Sequence, residues 1–334
     1  MTQGFMPKGF DRARRGFVVA AAAAVVSLAV APQAQAAWPE KPVRIVLPFG
    51  AGGVADVTAR IVADKLSDKL GQRFQIENMP GPGGINAARA VTTATPDGYT
   101  LGLLSNGTAI SVASFKSLPF DPVKDFEMVS MMGQFDIVLA GSAKSEFKTL
   151  ADFVKAAKAN PGKFNIGTIA VGSTQNFAGE LLKLAADIKA ELVAYKGSPD
   201  VVVGLLRNDV QVMVDFPSAV KGQVSSGDLR LLAVASAKRS KLLPDVPTGA
   251  EQGVKGYEVS SWNGIFAPKG TPKEVVDTLN KAMRDVLAMK DVQEQFAKVG
   301  IEPYASAPDE VMKRLTDDIA KWNTVIDKAG IARK

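Results

Sequence analysis

Two glycine-bearing segments offer this chain its clearest means of doing chemistry, and both would use backbone rather than side chains. The first is Leu47-Pro48-Phe49-Gly50-Ala51-Gly52-Gly53-Val54-Ala55-Asp56, with three glycines in four residues between a β-branched run and an amphipathic one. Without Cβ atoms, backbone N–H groups can approach a ligand closely. The helix that follows presents unpaired donors and about half a positive charge at its N-terminus. The second is Gly167-Thr168-Ile169-Ala170-Val171-Gly172-Ser173-Thr174-Gln175-Asn176, also between strand and helix, with Ser173 or Thr174 as the N-cap. Two such loops facing across a cleft would hold two carboxylates, or one carboxylate and another polar group.

Magnitudes limit what the loops can do alone. A helix N-terminus stabilises an anion by about 0.3–2 kcal/mol, whereas a micromolar ligand requires about 8 kcal/mol. Hydrogen bonds to a charged acceptor add roughly 1.5–3 kcal/mol each. Several N–H bonds per carboxylate are therefore needed, inside a cleft that closes.

Conventional catalytic equipment is thin. The chain has no histidine and no cysteine, which excludes histidine-dependent triads, thiol nucleophiles and imidazole or thiolate metal sites. Its carboxylates lie scattered on helices opposite apolar faces, where solvation is their ordinary role. The residues thus point to a binder, not an enzyme, with no cofactor and no metal. The alternative uses the same first loop: Gly50-Ala51-Gly52-Gly53-Val54-Ala55 fits G-x-G-x-x-[G/A], and Glu77 ends the next strand as a ribose-binding acid would. That pattern describes an exported dinucleotide-dependent oxidoreductase. Pro48 and Phe49 lengthen the loop, and Glu77 stands about 27 residues beyond Gly50 rather than about 20, which weakens the fit.

The elements that must position these loops alternate between β-branched runs and amphipathic segments, the signature of βαβ units and a mostly parallel sheet. Strands are predicted at Val43–Leu47, Phe74–Glu77, Thr100–Leu104, Ile137–Ala140, Phe164–Gly167, Leu192–Tyr195, Val210–Val214 and Leu231–Val234, with extended chain at Val259–Phe266. The period of helices marks Val57 to Leu70, Ile85–Thr93, Thr149–Ala159, Gln175–Ala186, Pro199–Leu206, Pro272–Ala288 and Pro308–Ala329. Each half offers a strand, a glycine loop and a helix, the layout of two α/β domains with a cleft between them.

The first forty residues address the protein. Lys8, Arg12, Arg14 and Arg15 precede an apolar run from Phe17 to Val30, and Ala34-Gln35-Ala36 follows as a small-x-small site. That is the pattern of a cleavable secretory signal over residues 1–36. Arg14-Arg15-Gly16-Phe17-Val18 also fits the twin-arginine pattern, so the route stays open. Without cysteine there is neither a disulfide nor a lipid-anchoring thiol, and an unanchored exported protein is expected in the periplasm. Taking the signal's four basic residues and one acid from the totals of 40 and 34 leaves about +3, too mild a charge to argue for nucleic acid.

Ordered motifs then run through the whole mature length: Trp38-Pro39-Glu40-Lys41-Pro42-Val43-Arg44, the Pro48–Asp56 loop, Glu77-Asn78-x-Pro80-Gly81-x-Gly83-Gly84 and Pro96-Asp97-Gly98-Tyr99. Tyr195-Lys196-Gly197, Leu243-Pro244-Asp245-Val246-Pro247-Thr248, Ser261-Trp262-x-Gly264 and Ala267-Pro268-x-Gly270-Thr271-Pro272 continue the series. In these the chain resembles the solute-binding proteins of tripartite tricarboxylate transporters, the Bug or TctC family. The resemblance implies a two-domain, Venus-flytrap periplasmic binding protein. It implies domain 1 over residues 37–138 plus 260–334 and domain 2 over 139–259, with crossings near Ile137–Gly141 and Tyr257–Asn263. It implies a carboxylate ligand pinched by Phe49, Gly50, Ala51, Gly52, Gly53 and Asp56 on one side. Thr168, Ser173, Thr174, Gln175 and Asn176 are implied on the other, with Asp215 bordering the cleft. Membrane subunits of such a transporter, and a monomeric state, go with it; a sensor input to a membrane kinase would share the fold. Where the family often has Thr-Ser-Gln-His, this chain has Ser173-Thr174-Gln175-Asn176, exchanging a titratable ring for an amide. With Val54 making the first loop more apolar, that exchange suits a ligand with a hydrocarbon or aromatic body.

Overall fold

A computed structural model describes residues 1–4 and 38–334. The signal segment expected over residues 1–36 lies, after its first four residues, outside the described residues. Among the described residues no helix is long and apolar enough to cross a membrane.

From Lys41 to Lys334 the chain is one compact unit built on two sheets. The first sheet contains β1 (Val43–Leu47), β2 (Phe74–Asn78), β3 (Thr100–Ser105), β4 (Phe126–Asp136), β10 (Ser260–Pro268) and β11 (Glu302–Pro303), in the order β11-β4-β10-β3-β1-β2. The second contains β5 (Val138–Ser142), β6 (Asn165–Ile169), β7 (Glu191–Tyr195), β8 (Val212–Asp215) and β9 (Leu229–Val234), in the order β7-β6-β8-β5-β9. In the first, β1 runs parallel to β2 on one side and to β3 on the other. In the second, β6 stands in the same relation to β7 and β8. Each sheet therefore has a topological switch beside the strand that feeds a glycine loop, which is where open α/β sheets leave a crevice.

Local sequence explains the elements at that crevice. β1 reads Val-Arg-Ile-Val-Leu, with every residue but Arg44 at most 1 % exposed. Helix α1 (Val54–Leu70) buries Thr58, Ala59, Val62, Ala63 and Leu66 as one stripe, and stops at Gly71, whose φ of 72° is left-handed. Helices α2 (Ile85–Thr92) and α3 (Asn106–Ser114) complete the N-terminal part of the first lobe. The second lobe carries α4 (Leu150–Ala159), α5 (Thr174–Ala186), α6 (Ser198–Leu206) and α7 (Pro217–Ser225).

The chain leaves the first sheet at Asp136, enters the second at Val138, and returns at Ser260. The two crossings lie side by side: the Ala235 N–H donates to the Ile137 carbonyl, and the Val259 N–H donates to the Ala235 carbonyl. All three residues are at most 1 % exposed. After α8 (Lys273–Leu287) and α9 (Lys290–Lys298), α10 (Pro308–Ala329) closes the chain. It packs against α3 of one lobe and α5 of the other, and Trp322 meets Phe177 edge-on with ring centroids 5.6 Å apart. One buried cluster runs from Val46 and Leu104 through Ile137, Val259 and Trp322 to Ile166 and Leu182.

Candidate functional site

The turns after β1, β3, β6 and β8 converge on a cavity of about 650 Å³. Phe49, Gly50, Ala51, Gly53, Val54 and Ala55 line it from the first turn; Ser105, Gly107, Thr108 and Ser111 from the second. Gly172, Ser173, Thr174 and Gln175 supply the third turn, and Phe216 the fourth. Phe135, at the end of β4, meets Phe216 edge-on at 5.0 Å, so an aromatic pair from opposite lobes forms part of the wall. No described residue that lines the cavity is charged.

The glycine loops share one frame. Gly52 has φ 82° and its N–H donates to Asp56 Oδ2 at 2.9 Å. Gly172 has φ 92° and its N–H donates to Asn176 Oδ1 at 3.2 Å. In each, a left-handed glycine is followed by an extended N-cap, Gly53 or Ser173, and tied to the side chain four residues on. A residue with a Cβ at such φ costs about 1–2 kcal/mol, so glycine is required.

Of the residues singled out from the sequence, Phe49, Gly50, Ala51, Gly53, Ser173, Thr174 and Gln175 line the cavity. Asp56, Thr168, Asn176 and Asp215 are buried behind its wall, where they hold the lining residues in place, and Gly52 is exposed on the first turn without lining the cavity. Asp56, 3 % exposed, accepts from Arg60 Nε at 3.0 Å and Nη2 at 2.9 Å, and from Asn78 Nδ2 at 2.9 Å. Asn78 also donates to the Phe49 carbonyl at 3.0 Å. The Arg60 guanidinium, with the Gly52 N–H and Asn78, outweighs burial and holds the Asp56 carboxyl down at about 2. Its charge is thus spent on Arg60 and the loop, away from the cavity. Asn176 does the same work in the second loop, donating to Thr168 Oγ1 at 3.2 Å while its own N–H donates to Ser173 Oγ at 3.1 Å. Asp215, 1 % exposed, accepts from Gln175 Nε2 at 3.1 Å; burial raises its carboxyl above the usual range, against the lowering influence of Ser198, Gln175 and the Phe216 N–H.

The donors that remain are unevenly distributed. α1 has no side-chain cap, whereas Ser105 and Thr108 cap α3 reciprocally. α7 begins with Pro217, which has no N–H, and α5 is capped by Ser173. Uncapped backbone donors therefore concentrate at Gly53–Ala55, which the cavity reaches. The sequence reading missed the Ser105–Ser111 wall, Phe135, Phe216, Ser261 and Asn263. Ser105-Asn106-Gly107, set directly after a predicted strand, was the readable capping signal. Glu77, the candidate ribose-binding acid, instead pairs with Arg44 at 3.1 Å.

Two sheets, a hinge of paired crossings and a cavity walled by βα turns define a two-domain, Venus-flytrap solute-binding protein. Residues 58–331 match the family model of the tripartite tricarboxylate transporter family receptors, TctC. The chain belongs to that family. It is 34 % identical to BugT of Bordetella pertussis over 306 residues, covering 91 % of this chain and 94 % of that one. Among solved structures it resembles an R. palustris protein bound to adipate (33 % identity, TM-score 0.76, 88 % of this chain and 99 % of that chain). It also resembles MatC from Rhodopseudomonas palustris with bound malate (30 %, TM-score 0.72, 86 % and 100 %).

Proposed function

We propose that the protein captures a small di- or tricarboxylate with a hydrocarbon body, chain or ring, in the periplasm. It acts as a monomer, delivers its solute to the membrane subunits of a tripartite tricarboxylate transporter, and catalyses no reaction. The observation that carries this reading is an uncharged cavity of about 650 Å³ with an uncapped helix N-terminus opening into it. A carboxylate held there is neutralised by several N–H donors and a helix dipole rather than by an arginine or lysine. Pro48, Phe49, Val54, Ile169, Phe135 and Phe216 would cover the solute's body. That the related structures hold adipate and malate supports the ligand class.

In this reading residues 37–138 plus 260–334 and residues 139–259 move as two bodies about Ile137, Ala235 and Val259. Closure would bring α5 and its Thr174 N–H onto a solute already seated at α1. A thermal-shift series of mono-, di- and tricarboxylates, aliphatic and aromatic, tests the proposal. A ligand at 100 times its Kd should add about 2.7 kcal/mol to stability, seen as a rise in Tm with no product formed. A flat response to every acid, or nicotinamide absorbance in the purified protein, would sink it.

A further inference from the structure

Gln175 is the second residue of α5, 4 % exposed, and it lines the cavity. Behind it, Asp215 Oδ1 accepts from the Phe216 backbone N–H at 2.8 Å and from the Gln175 amide at 3.1 Å. A backbone N–H can only donate, so Oδ1 is an acceptor whether or not the carboxyl is protonated. The Gln175 atom facing Oδ1 is the amide nitrogen, so the other end of the amide is the carbonyl. That oxygen, Oε1, accepts no hydrogen bond from the described residues, yet it is not sealed away from open space. The open space that Gln175 borders is the cavity.

We propose that Asp215 is a positioning residue that locks Gln175 with its carbonyl toward the solute, and that the solute carries a hydrogen-bond donor besides its carboxylate. A hydroxyl or an ammonium would serve. The inference rests on the carboxylate reading and narrows it. The serine and threonine hydroxyls of the wall can rotate to donate or accept. Beside the ionised Asp215, Gln175 cannot turn its nitrogen inward without setting Oε1 against Oδ1, two acceptors with no proton between them. A bare hydrocarbon or a second carboxylate at this point would leave Oε1 desolvated and unpaired, and buried acceptors in that condition are costly.

Calorimetric titration with matched pairs, succinate against malate and adipate against 3-hydroxyadipate, tests this. The hydroxy acid of a pair should bind at least about ten-fold more tightly. Gln175→Met keeps the shape and removes the acceptor; it should bring the members of a pair to within about two-fold. Asp215→Asn retains an oxygen for the Phe216 and Gln175 donors and should keep the preference, while Asp215→Leu should lose it. Gln175→Met decides the matter by itself if Asp215→Leu does not fold. Equal affinities in the wild type, or a preference that survives Gln175→Met, overturn the inference and leave the carboxylate reading standing. Should none of the four bind, the matched pair is built on the acid that the thermal-shift series selects, and if that series selects no acid both readings fall.

Discussion

Replacing Asp56 by asparagine tests whether the first loop is held by a charge. The folded protein keeps this carboxyl at about 2 against an ordinary 3.8, chiefly through the hydrogen bonds from Arg60. Each unit of such a difference is about 1.36 kcal/mol, so the ionised form contributes up to roughly 2 kcal/mol of stability. Arg60 is half exposed, at 48 %, and solvent screening brings the expected loss in Asp56→Asn to about 1–2 kcal/mol at pH 7. In a domain-sized protein that is about 2–4 °C of Tm per kcal/mol. The sign follows from a depressed folded pKa: the contribution is present above pH 3.8 and is lost as the pH falls through 2. The gap between wild type and Asp56→Asn should therefore shrink to about half near pH 3 and nearly vanish at pH 2. Urea midpoints at pH 7, 5 and 3 read this directly. Asparagine can still accept from the Gly52 N–H, so solute affinity should move by no more than about three-fold. A variant as stable as the wild type at pH 7, or one whose deficit is the same at pH 3, would refute an ionic role for Asp56.

Two further substitutions address the frame of the site. A Cβ at Gly52 would meet no atom within 4 Å, so the cost of Gly52→Val is that of a β-branched residue at φ 82°, about 1–2 kcal/mol or a flipped loop. The far-UV circular dichroism should be unchanged while solute affinity drops at least ten-fold; unchanged affinity would remove the first loop from the site. Asn106, fully buried, accepts from Trp322 Nε1 at 2.9 Å and donates to Thr174 Oγ1 at 3.1 Å, joining the two lobes and α10. Asn106→Ala strands both partners and should cost about 1–3 kcal/mol in the urea midpoint. A loss below about 0.5 kcal/mol would mean that water replaces the amide.

The elements around the glycine loops were legible because their cause is local. Val43–Leu47 is an apolar run broken only by Arg44, and Val54–Leu70 has a helical stripe closed by Gly71. The segment from Asn106 to Asp136 was not legible, for two reasons. α3 reads Asn-Gly-Thr-Ala-Ile-Ser-Val-Ala-Ser, poor in helix formers, and it folds because the Ser105–Thr108 cap and the packing of α10 hold it. β4 carries Gly133 and four polar or acidic residues, and it is a strand because β10 pairs along its whole length.

The chemistry divides in the same way. Glycine at positions 52 and 172, with no histidine or cysteine anywhere, already implied that backbone donors would do the binding. Which side chains touch the solute depended on contacts between residues far apart in the chain. Asp56 is a strong acid four residues from a glycine loop, and in sequence it looks like a ligand. Arg60, one turn on in the same helix, pairs with it locally, and the fold adds Asn78 from β2, so that its charge is turned away from the cavity. Gln175 and Asp215 stand forty residues apart, and their hydrogen bond exists because β6 and β8 are neighbours in one sheet. Local sequence dictated backbone geometry through φ preferences and periodicity; the direction in which each polar group points was fixed by the tertiary partner that satisfies it.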